Sequence, residues 1–274
     1  MPAGTAQKAD TMSARVSIAV IISTYNSPEY LRRVLEGYRR QTRYPDELIV
    51  ADDGSTNETA DVVKAFSASA PFKVRHVWHE DTGFRLAAIR NCAIAAAVSE
   101  YLIFSDGDCI PHPNFVEDHG KALRKGCFMT GKRMLVGQKL SPSFSWSGLT
   151  AALTACLRGK LSGMHHLLRL PWLVIGRQGV HGLRGCNMAM FRADLLAING
   201  FNEKITGWGR EDSEIVARLF AYGLHRRETP FSAIVFHLWH PENSRYNLSA
   251  NDKLLEDTIT SGIYRCTNGI VKEQ

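Results

Sequence analysis

Val16-Ser-Ile-Ala-Val-Ile-Ile-Ser-Thr-Tyr-Asn26 is the stretch on which the reading of the fold turns. Val16–Ser23 is an apolar, β-branched run, too short to cross a bilayer, and it reads as a buried strand. After it, Tyr30, Leu31, Val34, Leu35 and Tyr38 form a helical stripe within Glu29–Gln41. The alternation continues with Glu47–Ala51 as a strand, Glu58–Phe66 as a helix and Lys73–Trp78 as a strand. Leu86–Val98 is then an alanine-rich helix and Tyr101–Phe104 a strand. This rhythm predicts an α/β fold whose mostly parallel central sheet is flanked by helices. Such sheets bind ligands beyond the carboxyl ends of their strands.

Polar clusters stand at those ends. The first strand runs into Ser23-Thr24-Tyr25-Asn26, the second into Asp52-Asp53-Gly54-Ser55, and the fourth into Asp106-Gly107-Asp108. Two carboxylates one residue apart on a turn can share a divalent cation, and Gly107 lets backbone and phosphate approach closely. A solvated turn would have the same sequence. Thr24, Tyr25, Asn26 and Asp53 can hold a base and ribose, although both clusters also suit helix capping and turns. Arg85 and Arg90 bring cationic donors to the same edge, to meet a phosphate or pair with an acid.

Two later segments add to this edge. His237 and His240 close the apolar run Ser232–Pro241 and can join a carboxylate-held ion; mixed oxygen and nitrogen donors favour Mn²⁺ or a similar ion over Ca²⁺. The alternative is one core histidine and one surface histidine. In Gly207-Trp208-Gly209-Arg210-Glu211-Asp212, glycines flank an indole and two acids open the helix Glu211–Tyr222. Acids in a first turn are favoured by the helix dipole alone. An indole beside adjacent carboxylates also suits a sugar, with one carboxylate as general base.

The bulk composition sets the limits. The 274 residues are 45% hydrophobic and 22% charged, enough for one large α/β domain or two small ones. A net charge of +6 suits anionic nucleotides, an anionic membrane surface or nucleic acid, and does not choose among them. Six cysteines without CxxC pairs argue against a disulfide framework or a zinc cluster and for reduced thiols. The first fifteen residues lack an apolar segment, so no secretory signal is expected, and with the apolar run Ser17–Ser23 too short to span a bilayer no transmembrane segment is expected either.

Together these motifs resemble the family 2 glycosyltransferases of GT-A fold over residues 16–135. The segment Gly207–Asp212 resembles the acceptor motif of β-1,4-galactosyltransferases and of bacterial chondroitin-type polymerases. The resemblance implies an inverting, metal-dependent transfer of a hexose or N-acetylhexosamine from a nucleotide-sugar donor, UDP-linked, to a glycan or lipid-linked glycan acceptor. It places Thr24, Tyr25, Asn26, Asp53, Arg85, Arg90 and Asp106 on the donor side. Asp108, His240 and His237 would hold Mn²⁺ (or Mg²⁺), Trp208 and Glu211 would meet sugars, and Asp212 would be the base. His237 stands where galactosyltransferases use another ligand, and Arg210 where relatives often have a small residue.

The chain therefore divides into a flexible stretch at 1–15, a donor half at 16–135, a variable helical insertion at 136–182, an acceptor half at 183–245 and a peripheral tail at 246–274. Within the insertion, Leu149, Leu153, Leu157, Leu161, Met164 and Leu168 recur at helical spacing, with Arg158, Lys160, His165 and Arg169 between them. That face either packs on the core or meets an anionic membrane peripherally, on the inner face of the plasma membrane. The expected setting is cytoplasmic, in surface polysaccharide or lipopolysaccharide synthesis, with no nucleic-acid partner. A nucleotidyltransferase would need a Gly-rich, Lys/Arg-bearing loop near its start, where this chain has Ser23-Thr24-Tyr25-Asn26. A non-catalytic binding module would not need Asp212.

Overall fold

The computed structural model describes residues 15–273. The stretch expected at 1–15 lies, apart from Arg15, outside the described residues. In chain order the elements are β1 (Ile18–Thr24), α1 (Pro28–Arg39), β2 (Glu47–Asp52), α2 (Asn57–Ser67), β3 (Lys73–Trp78), α3 (Leu86–Ala96) and β4 (Tyr101–Asp106). There follow β5 (Cys109–Pro111), α4 (Phe115–Ala122), β6 (Cys127–Thr130), β7 (Arg133–Leu135), α5 (Leu149–Leu157), β8 (Ile175–Arg177) and β9 (Met188–Phe191). The chain closes with α6 (Arg192–Ala197), α7 (Glu211–Ala221), β10 (His225–Glu228), β11 (Val235–His237) and α8 (Leu248–Ser261).

The main sheet has the order β3-β2-β1-β4-β9-β6-β10-β8. Strands β3, β2, β1 and β4 are parallel neighbours, as are β6 and β10, whereas β9 and β8 run against theirs. A smaller sheet, β5-β11-β7, stands apart. The mostly parallel sheet expected from sequence is the one observed.

Alternation along β1 divides the core. Ile18, Val20 and Ile22 face the cluster formed with α1 and α2, while Ala19 and Ile21 face the one formed with α3 and α7. Helix α1 commits Leu31, Val34, Leu35 and Tyr38 to the first cluster, which is the stripe visible in the sequence. Because both faces are covered, β1 is buried throughout and contains no polar residue before Ser23. Pairing then fixes the edge: Ser23 lies opposite Asp106 and Thr24 opposite Asp52.

Two expectations require correction. Leu149–Leu168 is not one helix: α5 stops at Leu157, and Gly159 and Gly163 take φ of +65° and +77°, which the helix cannot accommodate. Leu161 turns inward to bridge Val136, so only part of the apolar stripe faces outward. Nor is the tail peripheral. Helix α8 packs on α7, Asn251 donates to the carbonyls of Thr206 (3.0 Å) and Gly209 (2.9 Å), and Asn247 donates to the hydroxyl of Thr206 (3.2 Å).

Candidate active site

The loops after β1, β2 and β3 tie one another together. Asn26, at φ +43°, donates its N–H to Ser55 Oγ (2.8 Å) and accepts from Thr56 N through its side chain (3.0 Å). Asp52 accepts from Ser55 N (2.9 Å) and pairs with His76 (2.8 Å). Asp53 pairs with His79 (2.6 Å) and accepts from Arg85 N (2.8 Å), so both its oxygens brace the edge. Burial raises its pKa, against the pull of His79. Tyr25 is half exposed and donates to Asp81 (2.9 Å). The Arg85 guanidinium turns to the Glu80 carbonyl (2.6 Å) rather than to the acids of β4. Thr24 Oγ1 is buried without a protein partner.

The β4 strand delivers Asp106, and the turn delivers Asp108. A Cβ on Gly107 would stand 2.9 Å from Thr24 Oγ1, so only glycine lets this turn close on the end of β1. The β11 strand, paired with β5, ends in His237 and brings His240 three residues beyond that end. Asp108 Oδ2 lies 3.0 Å from His240 Nε2 and 3.6 Å from His237 Nε2, and the three donor groups fall within 4.8 Å of one another. His240 Nδ1 contacts the Pro241 carbonyl (2.7 Å), which turns Nε2 towards the acid. One carboxylate and two imidazoles, all converging, fit a divalent transition ion. The Asp108 hydrogen bond lifts His240 to about 9, while burial depresses His237. Burial would raise Asp108, but the two histidines outweigh it and its pKa is lowered.

The acids that open α7 reach the same place. Arg90, fully buried on α3, donates to Ser23 Oγ (3.1 Å) and Asp106 Oδ1 (3.1 Å), and lies 3.9 Å from Glu211 Oε1. Burial raises Asp106 to about 6 against the pull of Arg90. Burial and the neighbouring Asp212 raise Glu211 to about 7, and its Oε2 is buried without a partner. Trp208 is partly exposed on the loop that leads to these acids, with the Arg245 guanidinium 5.2 Å from its ring. Gly207, Gly209 and Arg210 all have positive φ, and the last is an uncommon conformation for a residue with a side chain.

The structure thus gathers Asp106, Asp108, His237, His240, Arg90 and Glu211 around one edge, with Asp212 next in the chain. Sequence reasoning missed His76, His79 and Asp81, which follow the same rule as the others because they lie on or just beyond the third parallel strand. It also missed Asn247 and Asn251, for which no local signal exists.

A groove of about 1050 Å³ between α1, α2 and residues 142–146 lies elsewhere; Glu29 and Glu36 there pair with Arg32, Arg39 and Arg40.

Comparison with known proteins gives two family matches along the chain. Residues 19–152 match the family described as Glycosyl transferase family 2, and residues 176–241 match the N-terminal domain of galactosyltransferase. Validoxylamine A glucosyltransferase of Streptomyces hygroscopicus subsp. limoneus is 28% identical over 76% of this chain and 48% of its own length. Chondroitin synthase of Escherichia coli is 25% identical over 80% of this chain and 34% of its own length. The chain spans half or less of these relatives. Among solved structures, S. aureus TarS 1-349 in complex with UDP-GlcNAc has a TM-score of 0.57 at 17% identity, covering 83% of this chain and 60% of that one. Mannosyltransferase PcManGT from Pyrobaculum calidifontis, in complex with GDP-Man and Mn²⁺, has a TM-score of 0.56 at 19% identity, covering 82% and 58%. These likenesses establish the GT-A fold.

Proposed function

Since this chain belongs to the family 2 glycosyltransferases through residues 19–152 and continues into a galactosyltransferase-like segment, we propose that it moves a hexose or N-acetylhexosamine from a UDP-sugar to a glycan acceptor, with inversion. The carrying observation is Arg90, which hydrogen-bonds Asp106 of the donor half and faces Glu211 of the acceptor half. Relatives solved with UDP-GlcNAc and with GDP-Man support a nucleotide-sugar donor.

Tyr25 and the pocket braced by Asn26, Asp53, His79 and Asp81 receive the nucleoside, and Asp106 takes the ribose. A divalent cation held by Asp108, His237 and His240 would neutralise the charge that gathers on the departing diphosphate. Glu211 and Trp208 hold the acceptor sugar, the indole against its apolar face. Asp212 accepts the proton of the acceptor hydroxyl as that oxygen bonds to the anomeric carbon and the sugar–phosphate bond breaks. One base and one displacement give inversion.

The exposed part of the insertion supports a peripheral membrane contact for a lipid-linked acceptor in surface polysaccharide synthesis. Leu157 is 79% exposed and precedes exposed Arg158 and Lys160 in the chain, and Trp172 of the same insertion is 76% exposed. Arg169 does not belong to this set, because it pairs with buried Asp118 at 2.5 Å. No helix of the described residues is long and apolar enough to cross a membrane. Flotation with anionic liposomes should carry the protein upwards, less so at high salt or with Arg158→Glu and Lys160→Glu; a wild type that stays at the bottom removes this contact.

The transfer is tested by incubating the protein with a panel of UDP-sugars in Mn²⁺ and measuring release of UDP. One sugar should be hydrolysed slowly without acceptor, and EDTA should stop it. Full activity in chelator, or no hydrolysis of any donor, would overturn the reading.

A further inference from the structure

Two of the six cysteines, far apart in sequence, meet in the fold. Cys109 opens β5 directly after Asp108, and Cys186 precedes β9, the strand that pairs with β4. Both are buried, and Asp106 joins them: one carboxylate oxygen and the two sulfur atoms lie within 4.8 Å of one another. The Arg133 guanidinium stands 4.0 Å from Cys186 Sγ. Neither thiol touches the reacting groups of the transfer described above; Cys109 Sγ donates to Asp108 Oδ1 (3.1 Å), a bond that an ion on the sulfur would replace.

We propose that Asp106, Cys109 and Cys186 form a second cation site, selective for a thiophilic divalent ion such as Zn²⁺, and that filling it stops transfer. Two sulfur donors and one oxygen donor suit a tetrahedral centre with Zn–S bonds of about 2.3 Å and a water in the fourth position. Thiolates select zinc over manganese or magnesium, whereas Asp108 with His237 and His240 accepts the harder ions. Binding exchanges the two thiol protons for the ion and releases them, with no change of oxidation state. Two thiolates and a carboxylate bring three negative charges to the ion's two, with the guanidinium groups of Arg133 beside Cys186 and of Arg90 on Asp106 Oδ1 facing the remainder. Buried anions paired in this way are not left uncompensated. Inhibition follows because Asp106 is then withdrawn from the ribose, and this half rests on the proposed transferase reading; binding rests on the geometry of the cluster.

The test uses Co²⁺ as the probe. Titrating metal-free wild-type protein should raise a thiolate-to-cobalt charge-transfer absorption that saturates at one ion per chain, and Zn²⁺ should bleach it. The band should persist in Asp108→Ala/His240→Ala, which dismantles the neighbouring site, and vanish in Cys109→Ser/Cys186→Ser. No band in the wild type, or a band that survives loss of both thiols, overturns the site. The wild-type titration decides even if the serine pair does not fold, and Cys186→Ala alone should then weaken cobalt binding at least about tenfold. In activity, micromolar Zn²⁺ should slow Mn²⁺-supported donor hydrolysis of the wild type at least about tenfold more than that of Cys186→Ser. Equal inhibition of both overturns the regulatory half, and a protein that hydrolyses no donor yet shows the band overturns the transferase reading alone.

Discussion

The edge formed by β1, β2 and β4 and the loop at 206–210 meet at one candidate site but are built by opposite means. On the edge, backbone pairing sets Ser23 against Asp106 and Thr24 against Asp52, so position follows from sheet register. The loop has no ladder. It is pinned by side chains of Asn247 and Asn251 and by one backbone bond from Gly207 N to the Phe84 carbonyl (2.9 Å), and it carries Arg210 at φ +80°. A register-set residue can be changed without moving its neighbours, whereas a loop held by borrowed contacts shifts when a distant side chain is lost.

The sharpest contrast should come from Asp212→Asn, which keeps shape and removes basicity. Turnover should fall roughly 10²–10⁴-fold while UDP affinity measured by calorimetry stays near wild type. A loss under about tenfold would move the base to Glu211. Asp108→Ala should do the reverse, weakening UDP binding in Mn²⁺ at least about tenfold and hardly at all in EDTA. If binding falls equally in both conditions, Asp108 shapes the edge and does not hold an ion.

Loss of a remote contact should register on the acceptor side alone. Asn251→Ala deletes bonds to the Thr206 and Gly209 carbonyls, each worth about 1 kcal/mol, and should raise acceptor KM roughly three- to tenfold without changing UDP affinity. An unchanged acceptor KM would mean that the loop keeps its shape without α8. The smallest effect concerns Glu211. Its folded pKa of about 7 exceeds its ordinary 4.5, so the folded state keeps a proton that the unfolded chain has released. Stability is therefore lost as pH rises from 4.5 through 7, and Glu211→Gln should melt a few degrees above wild type at pH 8 and level with it at pH 4. The same gap at both values would assign the effect to packing.

This contrast also explains what could be read in advance. Strands such as Tyr101–Asp106 announce themselves because both faces are buried, and the acids beyond them follow from a rule about strand ends. His79 and Asp81 were legible by that rule and lay beyond a strand, β3, that is only half-buried and so drew less notice. The insertion misled because i, i+3 and i, i+4 spacing ignores the glycines at 159 and 163 that end the helix. The meeting of Cys109 with Cys186, and of Asn251 with Gly209, depends on long-range topology, which periodicity does not encode.

Helix α8 has a consequence for exchange between proteins. The galactosyltransferase-like match ends at residue 241, but the side chains that hydrogen-bond residues 206–209 are those of Asn247 and Asn251. A chimera that received residues 176–241 alone would inherit Trp208, Glu211 and Asp212 without their clasp. If this loop chooses the acceptor, as proposed, the heritable unit of that choice runs at least to Asn251, and recombination that swaps specificity between relatives should succeed only when the helix travels with the motif.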